Sequence, residues 1–236
     1  MAKILSIARQ ELKMYFKSPI AYIVLMIGIS IFNIFFFMII NENREATLRD
    51  VFAVMEFMFV FFIPLITMKC FSEEKASGTM EFLMTTPTTN TAIVLGKYIG
   101  TVLFFSILMA FTLIYYAIID FYGEPDRLAI LTGYLGVWLE GIFFIAIGLM
   151  VSAWTRSQII AAISSYLILF LLFFATVFTQ YTSGNLEVWI SYVSTLSHAK
   201  NFSAGIIGVA DVTYYLTGIL FCIIVTRISI ENRLWR

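Results

Sequence analysis

Six long apolar segments, separated by short polar ones, make up most of the chain. An α-helix needs roughly 20 apolar residues to cross the hydrocarbon core of a bilayer. The last segment is the shortest, and it ends beside Arg227, whose side chain can extend to the interface. The sequence therefore predicts six transmembrane helices, at about 19–40, 51–70, 97–120, 128–152, 158–178 and 212–227.

The Lys and Arg residues divide unequally between the two sides of a membrane that is crossed six times. Eleven of the 15 lie in the N-terminal segment, the second and fourth loops and the C-terminal segment, whereas four lie in the other loops. Because Lys and Arg accumulate in cytoplasmic segments, both termini are predicted to be cytoplasmic. The predicted fold class is all-α, with one polytopic membrane domain covering 1–236.

Composition supports a membrane protein and argues against other classes. The chain is 61% hydrophobic and 13% charged, whereas ordinary soluble domains contain roughly 25% charged residues. A net charge of zero gives no support for nucleic-acid binding. Cys70 and Cys222 form neither a CxxC pair nor a metal spacing. The predicted topology places both near the cytoplasmic side, so we expect free thiols rather than a disulfide.

The N-terminal segment 1–17 has apolar residues at helical spacing and charged residues, including Glu11 and Lys13, on the opposite face. This pattern predicts an amphipathic helix that lies in the plane of the membrane interface. Ser18 and Pro19 are expected to break it before the first span. Such a helix either anchors the chain to the membrane or presents a docking surface to a cytoplasmic partner.

The loop 72–90, between the second and third spans, is polar but carries a short apolar stripe. Gly78 is expected to mark a bend or a close approach to another segment, because glycine costs about 1 kcal/mol relative to alanine inside a helix. Pro87 is expected to end the element. A short amphipathic helix exposed to the cytosol fits a groove on a partner. A connector lying on the membrane surface is the alternative. The stripe consists of Met80, Leu83 and Met84.

The segment 181–211, between the fifth and sixth spans, is too apolar for a solvated loop. It is predicted to dip into the extracytoplasmic edge of the membrane, where irregular backbone is tolerated only against protein or a water-filled cavity. It is therefore a candidate outer gate, with a simple interfacial helix as the alternative. The candidate gate residues are Trp189, Tyr192, His198, Phe202 and Gly205.

No motif for catalysis, metal binding or nucleotide binding is present, and the Gly96–Lys97 pair lacks the preceding glycine of a phosphate-binding loop. The chain is therefore predicted not to be an enzyme. Two acidic residues fall within predicted spans. Glu56 is close enough to the end of its span to reach the outer interface. Glu140, near the middle of the fourth span, must be protonated, paired or facing water, because a charge there is costly.

Several segments resemble the permeases of type-2 (ABC-2) ABC transporters. The stretch "EEKASGTMEFLMTTP" resembles the cytoplasmic coupling loop of that family, and "ELKMYFKSPIAY" resembles its interface helix and first span. Residues 139–162 and 196–216 resemble one branch, which includes permeases of gliding-motility transporters and of copper-enzyme (nitrous-oxide reductase) maturation. The resemblance covers essentially the whole chain.

The resemblance implies a permease in the bacterial cytoplasmic membrane that couples to a separate cytoplasmic ATPase dimer. ATP and Mg²⁺ would bind to the ATPase and no cofactor to this chain. A second permease, identical or different, would complete the pathway, and periplasmic or membrane accessory proteins are a further partner class. Residues 186–208 would cap the pathway, and Glu11 and Lys13 would belong to the interface helix. The implied coupling contacts are Glu73, Glu74, Gly78, Thr79 and Glu81.

Two other functions remain open at the level of sequence. One is an ion-coupled carrier that uses Glu140 as a proton site, although carriers usually show inverted repeats and none is visible. The other is an intramembrane enzyme that uses His198 or Glu140, against which the lack of a nucleophile motif argues. The resemblance implies neither a cargo nor a choice between transport and transmission of force.

Overall fold

A computed structural model describes residues 2–43, 45–80, 88–181 and 184–231. Within these ranges the chain forms ten α-helices and one short 3-10 helix, and no strand. This confirms the all-α prediction. The helices are α1 (Ala2–Lys17), α2 (Pro19–Asn43), α3 (Arg49–Thr67), α4 (Ser72–Ser77), α5 (Asn90–Tyr122), α6 (Arg127–Ser152), α7 (Gln158–Phe174), the 3-10 helix (Ala175–Tyr181), α8 (Asn185–Val193), α9 (Thr195–Ser203) and α10 (Val209–Glu231).

Six helical segments of the described chain are long and apolar enough to cross a membrane, as predicted. They are built on α2, α3, α5, α6, α7 and α10. Three spans begin at side chains that cap free backbone N–H groups. Thr89 accepts from Ala92 N at the start of α5, Asp126 accepts from the first turn of α6, and Ser157 accepts from Ile160 N at the start of α7.

Helix α6 forms the centre of the bundle. Its apolar window is 89% buried within the chain, against 28% for α2, α7 and α10. Glycines let neighbouring side chains approach the α6 backbone closely, as in membrane helix packing generally. These contacts join Gly133 to Phe52 of α3, Gly136 to Phe202 of α9, Gly141 to Phe105 of α5, and Gly148 to Thr67 of α3.

Helix α1 ends at Lys17 and α2 begins at Pro19, so the predicted break is confirmed. The apolar face of α1 packs lengthwise on the first turns of α5. Ile7 meets Gly96, Glu11 meets Gly100, and further along Tyr15 stacks on Phe104 with ring centroids 4.8 Å apart. The contacts follow the same order in both helices, so α1 rests on protein along this face and not on lipid alone.

Helix α9 enters the bundle alongside α6 in the opposite direction. Its first residue, Thr195, faces Glu140 near the middle of α6. Towards its other end, the Thr132 hydroxyl donates to Phe202 O at 3.1 Å, and Gly205 lies against Ala129. We call this part of the bundle the α8/α9 end and the opposite part the α1/α4 end.

The close packing at Gly141 gives a direct test of the central role of α6. A Cβ at Gly141 would lie 2.2 Å from the Phe105 ring, whereas at Gly28 of α2 the nearest atoms are 3.6 Å away. We expect Gly141→Ala to destabilise the protein, because overpacking costs about 1–3 kcal/mol. The melting temperature in detergent would then fall by roughly 2–4 °C per kcal/mol.

Gly28→Ala is the matched control. It adds the same methyl group at a helical position with ordinary space, and alanine favours helix over glycine by about 1 kcal/mol. Its melting temperature should equal or exceed that of the wild type. Equal melting temperatures for the two variants would contradict the glycine-mediated packing of α6.

Candidate functional site

The candidate site is the segment around α4, which follows α3 at the α1/α4 end. Its start is fixed by Ser152, the last residue of α6. Ser152 Oγ accepts from the backbone N–H groups of Phe71 and Ser72 at 3.0 and 3.1 Å, and donates to Met68 O at 3.1 Å. Free N–H groups at a helix start need such partners. The end of α6 therefore holds the start of α4.

A second attachment joins α4 to the turn after α6. The Lys75 ammonium donates to Ala153 O, and Ser229 of α10 donates to the same carbonyl at 3.3 Å. Lys75 and Ser72 are buried. One side of α4 is therefore bonded to α6 and lies close to α10.

A buried ion network ties α4 to two more helices. Lys97 of α5 pairs with Glu11 of α1 at 3.0 Å and with Glu74 of α4 at 2.8 Å. The Lys97 ammonium also lies 5.4 Å from the centre of the Phe71 ring. The Lys97 and Glu11 side chains are only 3% and 7% exposed. One cation thus holds α1, α4 and α5 together.

The tyrosine next along α1 extends this network. The Tyr15 hydroxyl donates to Ile66 O at 3.1 Å and lies 3.2 Å from Cys70 Sγ and 3.1 Å from Thr101 Oγ1. Burial raises the pKa of Tyr15 well above its usual value, so the phenol keeps its proton. Burial also raises the pKa of Glu11, although Lys97 opposes the shift. The Glu11–Lys97 pair therefore forms at a desolvation cost. This favours a role in positioning the helices that the pair joins.

A cavity of about 480 Å³ opens between α1, the end of α3 and α4. Its wall includes the ion network and three further charged residues, Lys17, Lys69 and Glu73. Helix α4 is thus bonded to neighbouring helices on one side and borders this cavity on another.

The other face of α4 and the residues directly after it include most of the residues that the sequence resemblance assigns to coupling. Glu73, Gly78 and Thr79 are exposed, whereas Glu74 is half-buried against Lys97. Gly78 ends α4 with a φ of 74°, in the left-handed region that favours glycine. The predicted break at Gly78 is confirmed.

Part of the predicted coupling loop lies outside the described residues, namely Glu81, Leu83, Met84 and Pro87. Met80 is buried. On α1, Glu11 is part of the ion network, whereas Lys13 is exposed.

The candidate gate residues at the α8/α9 end fall into two groups. Trp189 and Tyr192 of α8 are 69% and 51% exposed, and no residue of α8 is buried. His198 and Phe202 of α9 are buried. Gly205 follows α9 with a φ of 85°. The side chains of His198 and Phe202 are thus part of the packed bundle, whereas those of Trp189 and Tyr192 are largely exposed.

His198 joins α8, α9 and α10. Its Nδ1 lies 2.6 Å from Asp211 Oδ1 and its Nε2 lies 2.9 Å from Tyr192 O. Asn201 donates to the other Asp211 oxygen at 2.9 Å, and the His198 ring stacks on Tyr214 at 4.1 Å. Both ring nitrogens therefore lie within hydrogen-bonding distance of an acceptor.

The two acidic residues of the spans lie inside the bundle. Glu140 is 0% exposed, in agreement with its predicted position. The expectation that Glu56 reaches the outer interface is wrong, because Glu56 is 3% exposed. It lies on the face of α3 that packs against α6. Cys70 and Cys222 are free and buried, as expected.

Three residues that organise the site were not identified from the sequence, namely Lys97, Tyr15 and Ser152. Lys97 offered a signal, because a lone lysine early in a long apolar helix needs an anionic partner when buried. Its partners lie far away in the sequence, on α1 and α4. Ser152 offered no signal, since a serine at the end of an apolar helix is common.

The family model described as "ABC-2 family transporter protein" matches residues 2–230. No curated protein matches the sequence.

Lys97→Met tests the ion network. The variant keeps an unbranched apolar side chain but leaves two carboxyl groups without their cation. Removing one partner of a buried pair costs about 3–5 kcal/mol, so we expect a clear loss of stability in thermal unfolding in nanodiscs. Adding Glu11→Gln and Glu74→Gln to Lys97→Met should restore most of it.

Lys69→Met is the control for that experiment. Lys69 lines the same cavity, is partly exposed and forms no ion pair with a described residue. Its removal should change the melting temperature little. Equal losses in the Lys69 and Lys97 variants would contradict the network.

His198→Phe tests the attachment of α8 and α9. The ring can still stack on Tyr214, but Asp211 and the Tyr192 carbonyl lose their contacts with the imidazole nitrogens. We expect faster hydrogen–deuterium exchange in peptides covering 185–203, because local opening becomes easier. The control Trp189→Phe changes an exposed side chain on the same segment and should leave exchange unchanged. Unchanged exchange in both variants would show that His198 does not hold the segment.

Proposed function

Because the chain belongs to the ABC-2 family of transporter proteins, and is thus the permease component of an ABC transporter, we propose that a separate cytoplasmic ATPase drives it through the segment around α4. ATP and Mg²⁺ bind to that ATPase. In this proposal the α1/α4 end faces the cytoplasm of a bacterial cell, in keeping with the excess of Lys and Arg there.

The observation that supports this proposal best is the two-sided character of α4. One side is bonded directly to α5 and α6, and through Lys97 to α1. The other side, around Glu73, Ser77 and Thr79, is exposed and borders the cavity. An element that receives force from a partner needs such a free face and such firm attachments.

The attachments determine where a displacement of α4 would go. Pushing α4 acts on the end of α6 through Ser152 and Lys75, and on α1 and α5 through Lys97. Packed helices move as rigid bodies or slide by small steps. ATP-driven closure of the motor would therefore shift α6, and α6 carries α9 at the other end of the bundle.

We also propose that two permease chains assemble, since this chain supplies six spans and ABC-2 membrane proteins often form dimers. The α8/α9 segment then acts as the outer gate, with α9 as its bundle-facing part and α8 as its exposed part. The assignment to the gliding-motility and copper-enzyme-maturation branch rests on residues 139–162 and 196–216 alone and stays a prediction.

Affinity purification from the native host tests the coupling surface. We compare the tagged wild type with the double variant Glu73→Arg and Gly78→Val. The first change reverses an exposed charge, and the second strains the left-handed backbone at the end of α4 without a clash. We expect a soluble ABC ATPase to accompany the wild type, and its recovery to fall at least tenfold in the variant, a change of about 1.4 kcal/mol.

Glu124→Arg is the matched control, because it makes the same charge change on an exposed residue at the opposite end of the bundle. Its ATPase recovery should equal that of the wild type. Equal recovery from all three proteins would reject the α4 face as the docking site. An intact wild-type chain purified without any ATPase would reject the separate motor.

A further inference from the structure

Two carboxyl groups inside the bundle have unsatisfied oxygens. Oε1 of Glu56 and both carboxyl oxygens of Glu140 are buried and have no hydrogen-bond partner among the described residues. The contacts of Gly133 and Gly148 with α3 set α3 and α6 in one register. This register places Glu56 within about one helical turn of Glu140. We propose that Glu56 and Glu140 form one proton-binding site, in which the pair shares a single proton. This site is separate from the ATPase coupling proposed for α4.

A fully ionised pair would be very unfavourable at this position. Burying a carboxylate without a partner is costly, and two carboxylates that share a site repel each other. None of the described Lys, Arg or His residues forms an ion pair with either group. One shared proton removes a charge and supplies a hydrogen-bond donor between the two groups.

A metal cation fits the site poorly. Calcium requires about 6–8 oxygen ligands, and no group of three or more His, Cys, Asp or Glu side chains that could hold a metal occurs in the described chain. The surroundings are apolar and closely packed. Phe105 lies against Gly141, and Phe59 packs on Phe105 at 4.9 Å. The small size of a proton suits this environment.

The start of α9 favours the one negative charge that a singly protonated pair keeps. Thr195, the first residue of α9, faces Glu140, and its buried hydroxyl has no partner that meets hydrogen-bond geometry. The N-terminus of a helix carries a partial positive charge. It therefore stabilises the remaining carboxylate.

Polar side chains connect the pair to the α8/α9 end. Tyr215 of α10 donates to Thr195 O at 3.3 Å, and its ring lies 5.3 Å from the ring of Tyr214. Tyr214 in turn stacks on His198, which contacts Asp211. The titratable groups around the site thus come from α3, α6, α9 and α10, and those of α9 and α10 lie towards the α8/α9 end.

Infrared spectroscopy of the purified chain in nanodiscs tests this inference. A protonated carboxyl group has a C=O stretching band that an ionised one lacks. We expect such a band at neutral pH with an amplitude of one group per chain. It should disappear in Glu56→Gln/Glu140→Gln and persist in the control Glu124→Gln. A spectrum that is the same for the wild type and the double variant would overturn the proposal.

Labelling with dicyclohexylcarbodiimide gives a second measurement on the wild-type chain, so it does not depend on the folding of a variant. The reagent adds to a protonated carboxyl group in an apolar environment and forms a stable N-acylurea. We expect an adduct on Glu56 or on Glu140, and no chain with adducts on both residues. Chains labelled at both residues, or a chain labelled at neither and lacking the infrared band, would overturn the shared proton. Neither measurement needs an ATPase or a transport assay.

Discussion

The burial of α6 is the constraint on which the other elements depend. A helix surrounded by helices must let each of them approach, and a membrane interior offers no water to fill imperfect contacts. The four glycines along α6 provide the space, each facing a Phe or Thr from α3, α5 or α9. The same helix ends at Ser152, whose hydroxyl fixes the start of α4. The position of α4 therefore follows from the packing of the core.

Helix α6 also connects the two regions that carry the proposed functions. Its last residues hold α4, its middle carries Glu140, and its first half packs against α9. A shift of α6 along its axis would reach all three places without bending any element. Polar groups in this chain are few, and most of the buried ones lie where α6 meets another helix or where α1 meets α5.

Much of the fold was predictable, because transmembrane spans depend on local composition and length. The break at Ser18 and Pro19 and the bend at Gly78 were also predictable, since proline and glycine act on the backbone where they stand. Pairing between distant segments was not. The role of Lys97 requires that α1 lies beside α5, which no local pattern encodes. The prediction for Glu56 was wrong because it used only the distance of this residue from the end of its span. It did not consider that the side chain lies on the face of α3 that packs against α6.

The two faces of α4 carry two kinds of sequence constraint. Residues on the inner face are tied to α5 and α6, and through Lys97 to α1, and cannot vary independently. Residues on the outer face, such as Glu73 and Ser77, are exposed. Substitutions of exposed residues usually change stability by less than about 0.5 kcal/mol, so selection can alter the outer face at little cost to folding. Under the proposed coupling, related permeases can diverge in their choice of ATPase while keeping one scaffold, and exchanging these few side chains would transfer the preference for one ATPase to another permease.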